Sequence, residues 1–275
     1  MSKPAVAPNK ALGQHFLHDQ RVLAAIALAA APEPGSGAIE IGPGTGNLTE
    51  HLLQHLPDRA AGKAALVLIE LDRRTPAVLH ERFGPVFDLV MADAAHVDWP
   101  TLLWSGRLGP APVVVGNLPY YAALPILFAL LDLERPPPRI VIMVQKEVAD
   151  RLIAPPSHPS RGQISPKVQL RAEVKVAMQV GRGAFQPPPN VQSSVVVLRP
   201  YATPQFDLPA WPQVSTLITQ GFAVRRKTLH NALVLAGRPS ALIKQALDSV
   251  GLAPMIRAEA LNNGQWAALA RALAT

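Results

Sequence analysis

The chain has 275 residues, no cysteine, and 26 Lys+Arg against 19 Asp+Glu, a formal net charge of +7. The missing cysteines exclude a disulfide framework and a thiolate zinc site and fit a reducing compartment, while the basic balance fits a polyanionic partner. The longest apolar runs, 22–31 and 122–131, have about ten residues where a membrane span needs roughly 18, so the chain is expected to be cytoplasmic.

In chain order, residues 1–12 are rich in Pro and Ala without a period and are expected to form a loose tail. "GQHFLHD" at 13–19 holds His15 and His18 three apart, with no third ligand spaced nearby, so no metal site is expected. The run 22–31 imitates a signal-peptide core, but only Lys3, Lys10 and Arg21 precede it and a glycine motif follows closely; it is read as part of the domain. Strands are expected at 38–42, 65–71, 87–93, 112–116, 139–145, 175–180 and 191–199. Stretches 48–56, 73–83 and 124–133 carry the helical period. Apolar strands alternating with helices imply a mainly parallel sheet covered on both faces, with any ligand at the C-terminal ends of its strands.

The first strand runs into "GPGTG", where Gly42, Gly44 and Gly46 let the backbone turn tightly and approach a ligand on a helix N-terminus. A dinucleotide, S-adenosylmethionine or a mere tight turn all fit. The dinucleotide fingerprint, however, is G-x-G-x-x-G, and the shorter spacing with Glu40 ahead of it resembles the methyltransferase form. Glu70 ends the next strand, about 24 residues past Gly46, where a carboxylate accepts hydrogen bonds from both ribose hydroxyls. Helix capping is its alternative role, for which Asp72 is better placed. Asp93 ends the third strand and can accept from an adenine amino group or cap the following turn. An acid or glycine at three successive strand ends is stronger than any one of them.

The fourth strand ends in "VVVGNLPYY". An adenine amino nitrogen is a poor nucleophile because its lone pair is delocalised into the ring. Two acceptors holding both N–H bonds favour a pyramidal nitrogen aimed at a methyl donor. Asn117 Oδ1 and the Leu118 carbonyl supply them, with Pro119 fixing the turn. Tyr120 can stack on a base drawn out of its helix, and Phe185 of "GAFQPPPN" can cover the other face. The alternative is an ordinary strand-ending turn with a core tyrosine.

Beyond 200 no strand is convincing, and helical spacing at 217–235, 240–250 and 265–274 indicates a small helical domain carrying seven Lys+Arg against three Asp+Glu. In "FAVRRKTLHNAL" an unbroken helix would set Arg226 among Phe222, Leu229 and Leu233, so either the helix breaks near Val224 or Arg226 has a fixed partner. A structural Arg226 is favoured, with Arg225 and Lys227 left for phosphate. From 151 to 182 there are six Lys+Arg and one acid, Glu173, leading into the loop of Phe185.

"NKALGQHFLHD", "IEIGPGTGNLT", "IELD", "NLPYY", "QKEVADRL", "AFQPPPNVQSSVV" and "RRKTLHNAL", in this order over about 9–270, resemble the KsgA/RsmA family of 16S rRNA adenine dimethyltransferases. The resemblance implies an α/β fold: a Rossmann-like class I methyltransferase domain over 1–200 with a mainly parallel sheet, and an all-α RNA-contacting domain over 201–275. It implies N6,N6-dimethylation of two adjacent adenosines in a hairpin near the 3′ end of 16S rRNA, on a small-subunit precursor, by a monomer using S-adenosyl-L-methionine. By position, His15, Leu17, Gly42, Glu70, Asp93 and Asn117 match cofactor-contacting residues, with Gly44 of the glycine loop expected beside them, and Tyr120 and Phe185 match base-stacking residues. Arg225, Lys227 and Arg161 are assigned to RNA. The chain departs from the family at Arg161-Gly162, often Tyr-Gly, and at Tyr121, often Asn or another polar residue; both are expected near the base pocket. A 23S rRNA, DNA-adenine or protein-glutamine methyltransferase is the rival enzyme, though the last two more often carry Asn-Pro-Pro-Tyr. A ribosome-assembly factor acting mainly by binding is the rival from another class.

Overall fold

A computed structural model describes residues 6–9, 12–56 and 65–274. Contacts divide the chain into two compact units. One comprises the chain up to Ala149 with Lys175–Pro200; the other comprises Asp150–Val174 with the chain from Tyr201.

In the first unit the elements are β1 (Phe16–Leu17), α1 (Gln20–Ala29), β2 (Ala38–Ile41), α2 (Asn47–Leu52), β3 (Leu66–Glu70), α3 (Pro76–Phe83), β4 (Asp88–Met91), α4 (Trp99–Trp104), β5 (Val113–Asn117), α5 (Ala123–Leu131) and β6 (Arg139–Gln145). The chain continues through α6 (Lys146–Ile153), α7 (Ile164–Gln169), β7 (Ala172–Val180), β8 (Phe185–Gln186) and β9 (Ser193–Pro200). Among the described residues seven strands form one sheet in the order β4-β3-β2-β5-β6-β9-β7; its first five strands are parallel and β9 runs antiparallel to β6. β2 and β3 are buried at every residue, as a doubly covered parallel sheet requires, and between its buried ends β7 at the edge alternates between exposed and half-buried. The strand order reverses at β2, between β3 and β5, which opens a crevice at their C-terminal ends. In β5 a Cβ on Gly116 would lie 2.7 Å from the Ile41 carbonyl oxygen, so only glycine lets the two central strands approach this closely.

The run 22–31 is an ordinary core helix. Asp19 caps α1 through the Arg21 and Val22 amides, and Val22, Leu23, Ile26 and Ala27 are buried. Of the expected tail, residues 1–5, 10 and 11 lie outside the described residues. At its other end the tail reading fails: Asn9 N donates to Gln14 Oε1, and Leu12 N and Gln14 N donate to the Asn9 carbonyl. Among the described residues no helix is long and apolar enough to cross a membrane.

The second unit contains α7, α8 (Trp211–Phe222), α9 (Leu229–Leu235), α10 (Ser240–Ser249) and α11 (Asn263–Ala272). These pack around Leu217, Ile218, Leu229, Leu233, Ile243 and Trp266. Segment 150–174 belongs here, not with the methyltransferase fold as expected, because Leu170 joins this core. Arg161 adds a second tie and corrects its assignment to RNA. Its side chain is buried, and its guanidinium donates to the Ala154 carbonyl (2.6 Å), Gln169 Oε1 (3.1 Å), the Leu261 carbonyl (3.0 Å) and Asn263 Oδ1 (3.4 Å). Burial lowers its pKa to about 10, which still leaves it charged at neutral pH. A guanidinium buried among four internal acceptors is not presented to a phosphate in solvent.

The expected helix over 217–235 is two helices. α8 stops at Phe222, and α9 starts after Thr228, whose hydroxyl accepts from Asn231 N. Arg226 is therefore exposed on the intervening turn beside Arg225 and Lys227, and the structural role expected for it is not met. The capping threonine was visible in the sequence and marks the break.

Candidate active site

Four strand ends face one cleft. In sheet order they carry Asp93 just past β4, Glu70 ending β3, Gly42 and Gly44 past β2, and Asn117 ending β5. Leu118, Pro119, Tyr120, Phe185, Phe16 and His15 complete the walls around about 840 Å³ of space open to solvent. Gly42, Gly44 and Gly46 all take positive φ (+66°, +55° and +83°), a backbone that L side chains rarely adopt.

Glu70 is nearly buried and accepts three backbone N–H bonds. Gly44 N reaches Oε2 at 3.0 Å, while Leu71 N and Asp72 N reach Oε1 at 2.8 Å each. Burial raises its pKa and the three amides oppose that rise. Two carboxylate oxygens offer about four lone-pair sites, so Glu70 ties down the glycine loop and can still accept from a ligand diol. Asp72 does not cap α3, whose N-cap position is Thr75. It accepts from Arg74 and from Gln14 Nε2 (3.0 Å), which hold its pKa down at about 2. Asp93 performs the turn-capping alternative while rimming the cleft: its Oδ1 accepts from Ala95 N at 2.9 Å.

Glu40, in the middle of β2, is fully buried against the Thr49 hydroxyl at 2.6 Å, and burial lifts its carboxyl to about 8. Its pKa is thus raised well above the ordinary 4.5. The stability linked to it is fully present below about pH 4.5 and is lost as pH rises towards 8, because the unfolded carboxyl ionises first. Glu40→Gln removes this loss. In urea unfolding, the variant is expected to gain on the parent between pH 5 and pH 8 by up to about 1.4 kcal/mol per pH unit. A pH-independent difference would mean that Glu40 is ionised in the fold.

The N-terminal segment closes one side of the cleft through contacts distant in sequence. β1 pairs antiparallel with β8, setting Leu17 opposite Phe185. His15 Nδ1 donates to the Pro187 carbonyl at 2.8 Å; a carbonyl only accepts, so Nδ1 carries the proton. Asn47 Nδ2 donates to the Leu17 carbonyl at 2.8 Å. Leu17 points into the core and does not line the main cleft, where its neighbour Phe16 stands; it lines a smaller adjoining pocket with Phe16, Gly42 and Asn117. Period-2 alternation sends adjacent strand residues to opposite faces, so one of the pair must be lost to the core.

Asn117 is the last paired residue of β5, opposite Met143, so its backbone is fixed by the ladder. Its Nδ2 donates to the His15 carbonyl at 3.1 Å. That bond settles which way the amide faces and leaves Oδ1 as an acceptor. The Pro119 carbonyl accepts from Ala122 N and Ala123 N, turning the chain directly into α5. Tyr120 is half-buried, with the His15 ring 6.1 Å away at 26° and its hydroxyl 2.8 Å from Ser193 Oγ. Phe185 is only 2% exposed, so it forms a fixed wall of the cleft rather than a free ring. Tyr121 is exposed at the rim, against Gly13. Sequence reasoning missed Gln14 and Ser193, since neither carries a local signal for its distant partner.

The cleft fits S-adenosylmethionine on its own geometry. A Cβ at Gly42 would meet nothing closer than the Asn117 carbonyl at 4.0 Å, which leaves an open cradle, and the diol acceptor Glu70 stands one strand away. Glu70, the glycine cradle and Asp93 would hold the cofactor's ribose, its methionine end and its adenine in turn.

The chain matches the family described as ribosomal RNA adenine dimethylase over residues 6–275. A ribosomal RNA small subunit methyltransferase A of Anaeromyxobacter dehalogenans is 42% identical over 276 residues, covering 96% of this chain and 93% of the relative. A protein of the same name from Thermosynechococcus vestitus is 38% identical, covering 98% and 97%. Among solved structures, a dimethyladenosine transferase from Plasmodium falciparum superposes with a TM-score of 0.76 at 25% identity, covering 93% of this chain and 96% of that one. The 23S rRNA methyltransferase ErmE shares the fold at a TM-score of 0.69 and 24% identity, covering 94% and 100%. With a family match that runs nearly end to end and relatives matched over almost their whole length, the chain belongs to the ribosomal RNA adenine dimethylase family.

Proposed function

We propose that the protein dimethylates N6 of two adjacent adenosines in the hairpin near the 3′ end of 16S rRNA, using S-adenosylmethionine. It acts in the cytoplasm, as a monomer, on a small-subunit precursor. The observation that carries this reading is the Asn117 amide, held by the His15 carbonyl so that Oδ1 is presented as an acceptor at the end of β5.

An adenine drawn into the cleft lies on Tyr120 with Phe185 behind it, and its amino group gives one N–H to Asn117 Oδ1 and the other to the Leu118 carbonyl. Both bonds draw the nitrogen toward a pyramidal shape and aim its lone pair. When bound, the cofactor would supply an electrophilic methyl on a sulfonium, and the C–S bonding pair would stay with sulfur. The resulting ammonium then loses its proton to water, so no general base is needed beforehand. Purified protein, cofactor and small subunits from a strain lacking the modification test the reading. The expected product, mapped by primer extension and mass spectrometry, is N6,N6-dimethyladenosine at two adjacent positions of 16S rRNA; methylation confined to 23S rRNA overturns it.

The helical unit contributes the RNA grip. Arg225, Arg226 and Lys227 are exposed on the turn between α8 and α9, and Arg225 also reaches the Pro159 carbonyl at 3.1 Å. Cations on a turn carry no base-reading geometry, so their contact is phosphate. Replacing Arg225 and Lys227 by alanine is expected to weaken substrate binding and to reduce the salt slope by roughly 0.7–0.9 per lost contact, with the methylated positions unchanged. An unaltered slope with misplaced methyl groups would remove the phosphate role.

A further inference from the structure

Ser193 opens β9 and is completely buried. Its hydroxyl stands 2.8 Å from the Tyr120 hydroxyl, 73 residues away in sequence. The ring is thus held at its far end by the hydrogen bond and flanked by the imidazole of His15. Pairing of Ser193 with Gln145 on β6 fixes the serine backbone, so the tyrosine hydroxyl meets a partner that the sheet itself positions.

The two methyl transfers to one adenine make unequal demands on that ring. The unmodified amine has two N–H bonds, one for each acceptor at the end of β5. After the first transfer the nitrogen carries one hydrogen and one methyl, so one of the two acceptors no longer has a donor. The orientation of the nitrogen then depends more on the plane in which the base lies, and Tyr120 sets that plane.

We propose that Ser193 is a positioning residue for the second methyl transfer, acting through the Tyr120 hydroxyl. The inference rests on the reading of Asn117, Leu118 and Tyr120 given above. In the second transfer the lone pair of the monomethylated nitrogen forms the new N–C bond, the methyl–sulfur bond breaks with its electrons on sulfur, and the remaining N–H proton is released to water. Releasing the tyrosine from Ser193 widens the angles available to the base, which the singly held amine tolerates less than the doubly held one.

Ser193→Ala, Tyr120→Phe and the double variant test this in single-turnover reactions with unmodified small subunits. Mono- and dimethyladenosine are quantified by mass spectrometry, and cofactor affinity by calorimetry. Each single variant is expected to raise the ratio of mono- to dimethyladenosine by about three- to tenfold, the range for loss of one hydrogen bond. The first transfer slows less than the second, and the double variant is no worse than either single, because all three remove the same bond. An unchanged ratio, equal slowing of both transfers, or additive effects in the double variant overturns the proposal. Should Ser193→Ala fail to fold, the product ratio of Tyr120→Phe alone supports or overturns it. Asn117→Ala with full activity would sink the underlying reading instead, whereas an inactive Asn117→Ala beside a parental product ratio in Ser193→Ala sinks only this inference.

Discussion

Asn117→Ala is expected to lower methyl transfer by on the order of a hundred- to a thousandfold, while cofactor affinity falls far less. Losing one preorganised hydrogen-bonding group at a reacting centre typically has an effect of that size. Alanine removes the oriented Oδ1 and the tie to the His15 carbonyl together. Asn117→Asp separates the two. It keeps an acceptor but sets a second carboxylate oxygen against the His15 carbonyl, where nothing can donate. Aspartate is therefore expected to be nearly as inactive as alanine, because the repelled carboxylate leaves the position that the amide holds. Single-turnover rates with calorimetry distinguish the outcomes: equal losses of binding and turnover in Asn117→Ala would count against an orienting role.

Glu70→Ala is expected to weaken S-adenosylmethionine binding by at least about a hundredfold. Two hydroxyl hydrogen bonds to a charged acceptor are lost, at roughly 1.5–3 kcal/mol each. The structure adds a second component. Gly44 N, Leu71 N and Asp72 N all end on this carboxylate, so alanine also unties the glycine loop from the end of β3. The loss should therefore extend to S-adenosylhomocysteine, which has the same ribose. Calorimetry with both ligands measures it, and parental affinity for either takes Glu70 out of the site.

The sequence by itself determined the main strands of a mostly parallel sheet and which residues stand at their ends. Residues that end apolar runs carry their own position: Glu70 and Asn117 stand where a buried strand meets the crevice, and the β-branched and glycine-rich segments around them leave the chain little alternative. Lengths were legible to within a few residues because turn residues such as Gly42 and Pro119 interrupt the apolar pattern. The clearest motifs were local in sequence and therefore needed no knowledge of distant partners.

Only the tertiary structure decided which side chains of the remaining motifs face the cleft. "HFL" held the expected contacts His15 and Leu17 on either side of Phe16, and the pairing of β1 with β8 sent Leu17 to the core and Phe16 to the cleft. Arg161 carries a charge that sequence alone assigns to solvent or RNA, yet acceptors as far along the chain as Leu261 and Asn263 enclose it in the second unit. Arg226 moved the other way, out of an imagined helix face and onto an exposed turn, once Thr228 capped α9. The hold of Ser193 on Tyr120 and of His15 on Asn117 likewise spans 73 and 102 residues. A hydrogen bond across such distances leaves no periodicity or composition in the chain, since its two ends meet only after the sheet has assembled.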